Sequence, residues 1–205
     1  MHSAGDDLLN IWVADVATAQ RLAEDLRQSG DWIEAVAGVD SVVVRFDIAS
    51  VQRADAEKRL MEASTVISEP PELSQVIVEI PIVYGGESGP DFDFVCEKLG
   101  LSGRELIDLH SGEYTVDMLG FTPGFAYIGG LDERLKIDRL PEPRQFVPAG
   151  SVGIAGGRSG LYSLPGPGGW PLIGRTSKKL FDAAADEPFT LSAGVRILFR
   201  EVESL

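Results

Sequence analysis

The sequence predicts a small α+β unit followed by a closed all-β unit, divided after Tyr84, and three observations carry that prediction. In residues 1–84, short apolar strands alternate with stretches of helical spacing. A turn-rich segment, GGESGPD at 85–91, follows and marks the boundary between a domain at 1–84 and one at 85–205. Beyond it, 14 of the chain's 23 glycines and 7 of its 12 prolines lie between Gly112 and Gly174, punctuating short apolar pieces as in a barrel or compact sandwich.

Residues 8–13 form an apolar strand, and Val16, Ala19, Leu22, Ala23 and Leu26 recur at helical spacing before a stop at Gly30. The β-branched run SVVVRFD at 41–47 is a second strand. Ser50 is placed to cap a second helix, with Val51, Ala54, Leu60 and Met61 on its apolar side. Residues 76–83 complete the first unit, two helices on one sheet. After the boundary, 92–99 and 102–109 read as short helices, the second opening on Ser102 and Glu105 at capping-box spacing. Short strands are expected at 114–119, 151–155, 172–173 and 195–199.

Composition narrows the function. The chain is 44% apolar and 24% charged, ordinary for a soluble protein, with no apolar run near the roughly 20 residues of a membrane helix. The first residues carry no basic region leading into an apolar core, so no signal peptide is expected. A single cysteine, Cys96, fits a reducing, cytoplasmic compartment, and its apolar helical setting marks it as buried. A net charge of -14 argues against nucleic acid. The charge is unevenly spread. No acid occurs between Glu142 and Asp182, whereas Arg144, Arg158, Arg175, Lys178 and Lys179 do, which points to reception of a small anion there or to solvated surface charge.

His2 lies at a frayable terminus, so His110 and Cys96 offer too few ligands for a zinc site, and no metal site is expected. There is no Gly-x-Ser-x-Gly elbow. GWPLIGRT at 169–176 approaches a phosphate loop, but Pro171 lacks an N–H and Leu172-Ile173 reads as a strand entering a core. Arg175 and Thr176 still offer a guanidinium fork and a hydroxyl to an anion. The rich segments GFTPGFAYIGGL, VPAGSVGIAGG and LPGPGGW supply candidate ligand contacts at Phe121, Pro123, Gly124, Gly150, Ser151, Tyr162, Gly168, Gly169 and Trp170. Their aromatics, with Phe125 and Tyr127, are either pocket walls or the barrel's own core, and Ser151 is either a ligand hydroxyl or a turn residue. His110 is either an acid/base group or a core histidine.

Taken in order, these strings resemble one family, KipI, also called allophanate hydrolase subunit 1 or the B component of 5-oxoprolinase. The resemblance rests on YGGESGPD, His110, GFTPGFAYIGGL, Pro143-Arg144, VPAGSVGIAG, Gly160-Leu161-Tyr162, PGGW and LIGRT. Ala126 departs from the proline usual in the family's GFxPGFPYLGG block, and Leu164-Pro165-Gly166 replaces the usual lead into PGGW. The resemblance implies a cyclophilin-like barrel of the carboxyltransferase type after the N-terminal α/β domain. It implies a KipA-like partner (allophanate hydrolase subunit 2) in a heterodimer or dimer of heterodimers, and a third catalytic subunit. The implied activity is a hydrolase subunit: ATP-dependent opening of the cyclic amide 5-oxo-L-proline to L-glutamate, with ATP and Mg2+ bound here or with the partner. On that reading Arg144 and Arg175 orient anionic reactants and His110 moves a proton.

The alternative is regulatory, since the family's namesake inhibits autophosphorylation of a histidine kinase. Likeness of the barrel to cyclophilin does not by itself make a prolyl isomerase, and no cyclophilin catalytic motif is evident.

Overall fold

The computed structural model describes residues 2–3, 5–66 and 77–204, and the chain divides into two compact units, 1–73 and 74–205. In the first unit β1 (His2–Ser3), β2 (Leu8–Trp12), β3 (Glu34–Ala37) and β4 (Ser41–Arg45) form an antiparallel sheet in the order β1-β2-β4-β3. Two-residue alternation puts Leu9, Ile11, Ala35, Ala37, Val42 and Val44 on one face. Helices α1 (Val16–Ser29) and α2 (Arg53–Thr65) bring Ala19, Leu22, Ala23, Leu26, Ala56 and Leu60 to the same core. Full burial of each larger side chain contributes about 1.5–3 kcal/mol.

The Asp15 carboxylate caps α1, accepting from the Thr18 N–H at 2.7 Å, and Gly30 ends it in the left-handed conformation, φ 74°. α2 begins at Arg53 with Gln52 at its cap, not at Ser50. Ser50 instead donates to the Asp47 carboxylate in the preceding turn, and Ala54 and Met61 face solvent while Ala56 and Leu60 are buried. β3 has no sequence signal because EAVA is short and poor in β-formers.

β5 (Ile77–Tyr84), which the sequence places in the first unit, is a strand of the second. The boundary expected after Tyr84 therefore falls earlier, and Val76 lies outside the described residues. GGESGPD has the composition of a linker but acts as a pinned turn: Gly85 N–H donates to Ile173 O at 3.0 Å and Asp91 N–H to Leu172 O at 2.9 Å.

The second unit also contains β6 (Gly112–Leu119), β7 (Ala126–Ile128), β9 (Ser151–Ala155), β10 (Arg158–Leu161), β12 (Leu172–Arg175) and β13 (Arg196–Glu201). With β5 they close a seven-stranded barrel in the order β10-β7-β6-β13-β5-β12-β9, sealed between β9 and β10. Among the described residues, only β5 and β13 pair in parallel. A separate two-stranded sheet pairs β8 (Arg144–Val147) with β11 (Gly166–Gly168). The unit is not all-β, since α3 (Phe92–Leu99) and α4 (Gly103–His110) belong to it, and Val95 and Leu106 join the barrel core of Ile80, Ile82, Val116, Ile128, Ile154 and Ile197. The Ser102–Glu105 capping box opens α4 as its spacing requires. β7, β8, β10 and β11 lie in segments whose glycines and prolines mask their extended conformation from a propensity reading.

Gly89 is where the turn meets the barrel. A Cβ there would lie 2.2 Å from the Ile173 carbonyl oxygen. Because that neighbour is backbone, it has little room to yield. Gly89→Ala is expected to cost about 1–3 kcal/mol or more, read as a lowered urea midpoint with an unchanged m-value.

Candidate functional site

One concave site of about 230 Å3 is built on the barrel unit, with walls that are chiefly aromatic. Phe125 packs edge-on against Tyr127 (centroids 4.8 Å apart), Tyr162 (4.9 Å) and Trp170 (6.0 Å), and Tyr127 meets Trp170 at 5.8 Å. These rings are therefore both pocket wall and a small core of their own, with Val147 and Leu172. The β11 edge closes the other side through Pro167, Gly168 and Gly169. A Cβ at Gly168 would sit 2.3 Å from the Tyr162 hydroxyl oxygen, so only glycine lets the strand pass over that phenol. Burial raises the Tyr162 phenol, while a hydrogen bond from the Trp170 backbone and the charge of Arg139 act the other way. Burial likewise raises the Tyr127 phenol against the pull of Arg139. Both phenols are neutral near pH 7.

Phe121 stands at the mouth, 63% exposed and edge-on to Phe125 at 5.6 Å. Its φ is 67°, and Thr122 N–H donates to Gly120 O at 2.8 Å across it. A bulky residue held in a tight turn at positive φ is strained, and such strain gathers at ligand sites.

Of the residues singled out from sequence, Phe121, Phe125, Tyr127, Tyr162, Gly168, Gly169 and Trp170 come together in this pocket. The others do not line it. Pro123 and Gly124 form a packing corner, with the Ser163 hydroxyl donating to Pro123 O at 2.6 Å. Gly150, Ser151 and Thr176 knit strand ends: Gly150 N–H donates to Tyr162 O, Tyr162 N–H to Ser151 O, and Thr176 N–H to Gly150 O. Arg139 lines the pocket without having been marked in the sequence, and Pro143 and Pro167 line it though the sequence marked them only within the family strings. Arg139 lies outside the acid-free window, beside Asp138, so a charge-run criterion passes over it.

The acid-free stretch is not acid-free in space. Arg144 pairs with Asp91 at 2.6 Å, Arg158 with Asp117 at 3.1 Å and Lys179 with Asp182 at 2.5 Å. Asp91 is nearly buried and its second oxygen accepts from Leu172 N–H at 2.7 Å, so Arg144 neutralises an internal carboxylate rather than an incoming one. Arg175 is exposed and donates to Ala149 O at 3.1 Å, away from the pocket lining.

His110 is wholly buried, stacked on Phe199 at 4.8 Å between centroids. Its neighbours settle one chain of donors. The Ser159 hydroxyl gives its proton to Gly153 O (3.3 Å) and accepts from Nε2–H (2.9 Å), which leaves Nδ1 to accept from the Tyr84 hydroxyl (2.7 Å). Burial pulls the imidazole down to about 3. Sealed and neutral, it organises the barrel core and has no exposed atom through which to exchange a proton with a ligand.

GWPLIGRT is strand β12 and its approach, with Leu172 and Ile173 buried. The pocket is smaller than the roughly 300–1,000 Å3 that enclose drug-sized ligands. Among the described residues, no group of three His, Cys, Asp or Glu side chains is gathered to hold a metal ion, and no helix is long and apolar enough to cross a membrane.

The family model for the carboxyltransferase domain, subdomain C and D, matches residues 1–191. The B component of 5-oxoprolinase from Escherichia coli O157:H7 is 45% identical over 180 residues, 87% of this chain and 82% of that protein. The chain belongs to the family of 5-oxoprolinase B components. The family's Bacillus subtilis (strain 168) member is 48% identical over 151 residues, 73% of this chain and 61% of its own. The crystal structure of TTHA0988 superposes with a TM-score of 0.81 at 31% identity, covering 97% of this chain; this chain spans only 40% of that one. The family match runs through both units and across the whole aromatic pocket.

Three outcomes follow from this geometry. Arg144→Ala strands a nearly buried Asp91 and is expected to destabilise by about 2–3 kcal/mol, below the roughly 3–5 of a fully buried pair because Arg144 keeps some exposure. Arg175→Ala is expected to stay within about 0.5 kcal/mol of the parent, both read by urea unfolding at pH 7. For His110 the folded value lies below the unfolded 6.5, so its contribution is complete above pH 6.5 and drains as pH falls toward 3. The stability gap between the parent and His110→Gln should therefore shrink by about 1.4 kcal/mol per pH unit below 6.5. A gap that is constant from pH 7 to 5 contradicts the buried neutral imidazole.

Proposed function

We propose that this chain is one component of an ATP-dependent amidohydrolase complex of the 5-oxoprolinase type, and that the aromatic pocket holds the small anionic substrate. The observation that carries this reading is an aromatic cleft of metabolite size, edged by a strained Phe121, on a chain 45% identical to the B component of a 5-oxoprolinase. The reaction is conversion of 5-oxo-L-proline, ATP and water to L-glutamate, ADP and phosphate. A five-membered lactam is flat and compact, and edge-on aromatic walls suit both its ring faces and its apolar methylenes. This chain's part is to bind the ring, fix its orientation and shed bulk water around the amide, so that charge developing there is weakly screened. We assign ATP and Mg2+ to partner subunits, a KipA-like protein and a third catalytic subunit, in a cytoplasmic complex; the small volume of the cleft supports that assignment.

On this reading the barrel is of the cyclophilin-like type, and the 1–73 unit serves the assembly rather than the chemistry. The roles first given to Arg144 and His110 become structural, and Arg175 is left outside the site.

The test is ATP hydrolysis by the chain co-purified with those partner subunits, with and without 5-oxo-L-proline. Stimulation accompanied by L-glutamate is the expected result. Tyr162→Ala, which opens the pocket wall, should lower that stimulation by about tenfold or more. A stable complex with no stimulation by 5-oxo-L-proline would overturn the assignment of substrate.

A further inference from the structure

Among the described residues, every arginine of the barrel unit except Arg139 and Arg175 is paired with a carboxylate. Arg175 does not line the pocket. Arg139 does, and its guanidinium carbon lies 5.8 Å from the centroid of the Trp170 ring. A guanidinium held over an indole keeps its N–H edge for a planar acceptor while losing less freedom on binding than an unrestrained side chain would. Arg139 is exposed, so its guanidinium sits at the open rim of the cleft, near enough to lower the Tyr127 and Tyr162 phenols against the effect of their burial. The Tyr127 hydroxyl has no hydrogen-bond partner among the described residues, so one neutral donor accompanies the cation.

We propose that Arg139 is the specificity-determining residue of this pocket: it takes the carboxylate of a small, flat ring acid whose ring lies against Phe125, Tyr162 and Trp170. The proposal rests on the reading of this cleft as the substrate site, and deepens it by naming the class of ligand. Charge count selects within the anions. One unpaired cation neutralises a monocarboxylate, whereas a phosphate dianion would keep a net charge among aromatic walls, which is costly. Size selects too, since about 230 Å3 suits a single ring with its carboxylate. The fork of Arg139 grips that carboxylate by two N–H bonds, and Trp170 holds the fork in place.

Isothermal titration of the full chain, alone and in its co-purified complex, tests this with 5-oxo-L-proline, its carboxamide and pyrrole-2-carboxylate as probes. Both acids should bind about 10- to 100-fold more tightly than the carboxamide. Arg139→Gln should erase that preference by weakening the acids and leaving the carboxamide unchanged, and Arg139→Lys should restore part of it. Arg139 is exposed, so both variants should keep the parent's melting temperature. In the active complex, Arg139→Gln should raise KM for the ring acid about tenfold or more with kcat within a few-fold. Equal affinity for acid and carboxamide in the parent overturns the proposal, as does an Arg139→Gln chain that still prefers the acids. Should the complex fail to turn over 5-oxo-L-proline while Arg139 still discriminates acid from carboxamide, the proposed reaction falls and the ligand class remains.

Discussion

The parallel pairing of β5 with β13 is the constraint on which the barrel unit depends. It joins the first strand of the unit to its last, Ile77 beside Arg196 and Ile82 beside Glu201, and so closes a sheet that would otherwise end in two open edges. The pair brings together residues more than 110 positions apart, so its loop-closure cost is among the largest in the unit. Once it forms, Ile80, Ile82, Ile197 and Phe199 turn inward together, and His110 is trapped against Phe199. The buried imidazole is a consequence of closure, satisfied on both nitrogens by residues from β5 and β10.

A second tie shapes the concave site on the closed barrel. Asp91, at the end of the pinned turn, accepts from Leu172 N–H and from Arg144, the first residue of β8. Leu172 follows Trp170-Pro171, and Arg144 follows Pro143, so one carboxylate fixes the approach of two pocket walls. Its near-complete burial makes the tie strong only while both partners are present. The pocket thus combines stiff walls with one strained, exposed ring at its mouth, Phe121, and a lining cation, Arg139, that no carboxylate claims among the described residues.

Much of this was legible along the chain. Hydrophobic period located α1, β2, β4 and β9, the Ser102–Glu105 spacing located the start of α4, and the ordered glycine-aromatic strings marked the segments that make the pocket. What stayed hidden shares a physical cause. β3 and β11 are held by neighbours rather than by their own propensity, because Ala, Gly and Pro favour no strand alone, and β7 is only three residues long between glycine-rich turns. The unit to which β5 belongs was hidden as well, since membership is decided by a partner at the far end of the chain.

The sequence by itself determined the family and the presence of a turn-rich β unit, and it marked the aromatic-glycine strings, because these reside in composition and in runs of neighbouring residues; that the rings form a cleft wall was decided by the tertiary structure. Only the tertiary structure decided which charges remain available. Arg144 stands in an acid-free stretch of sequence, yet its partner Asp91 lies 53 residues away along the chain and 2.6 Å away in space. Arg139 stands beside Asp138 in sequence and yet faces Trp170, with no carboxylate paired to it among the described residues. Coulomb attraction acts through distance in space, so a list of charges in order cannot say which are spent on the fold and which are left for a ligand.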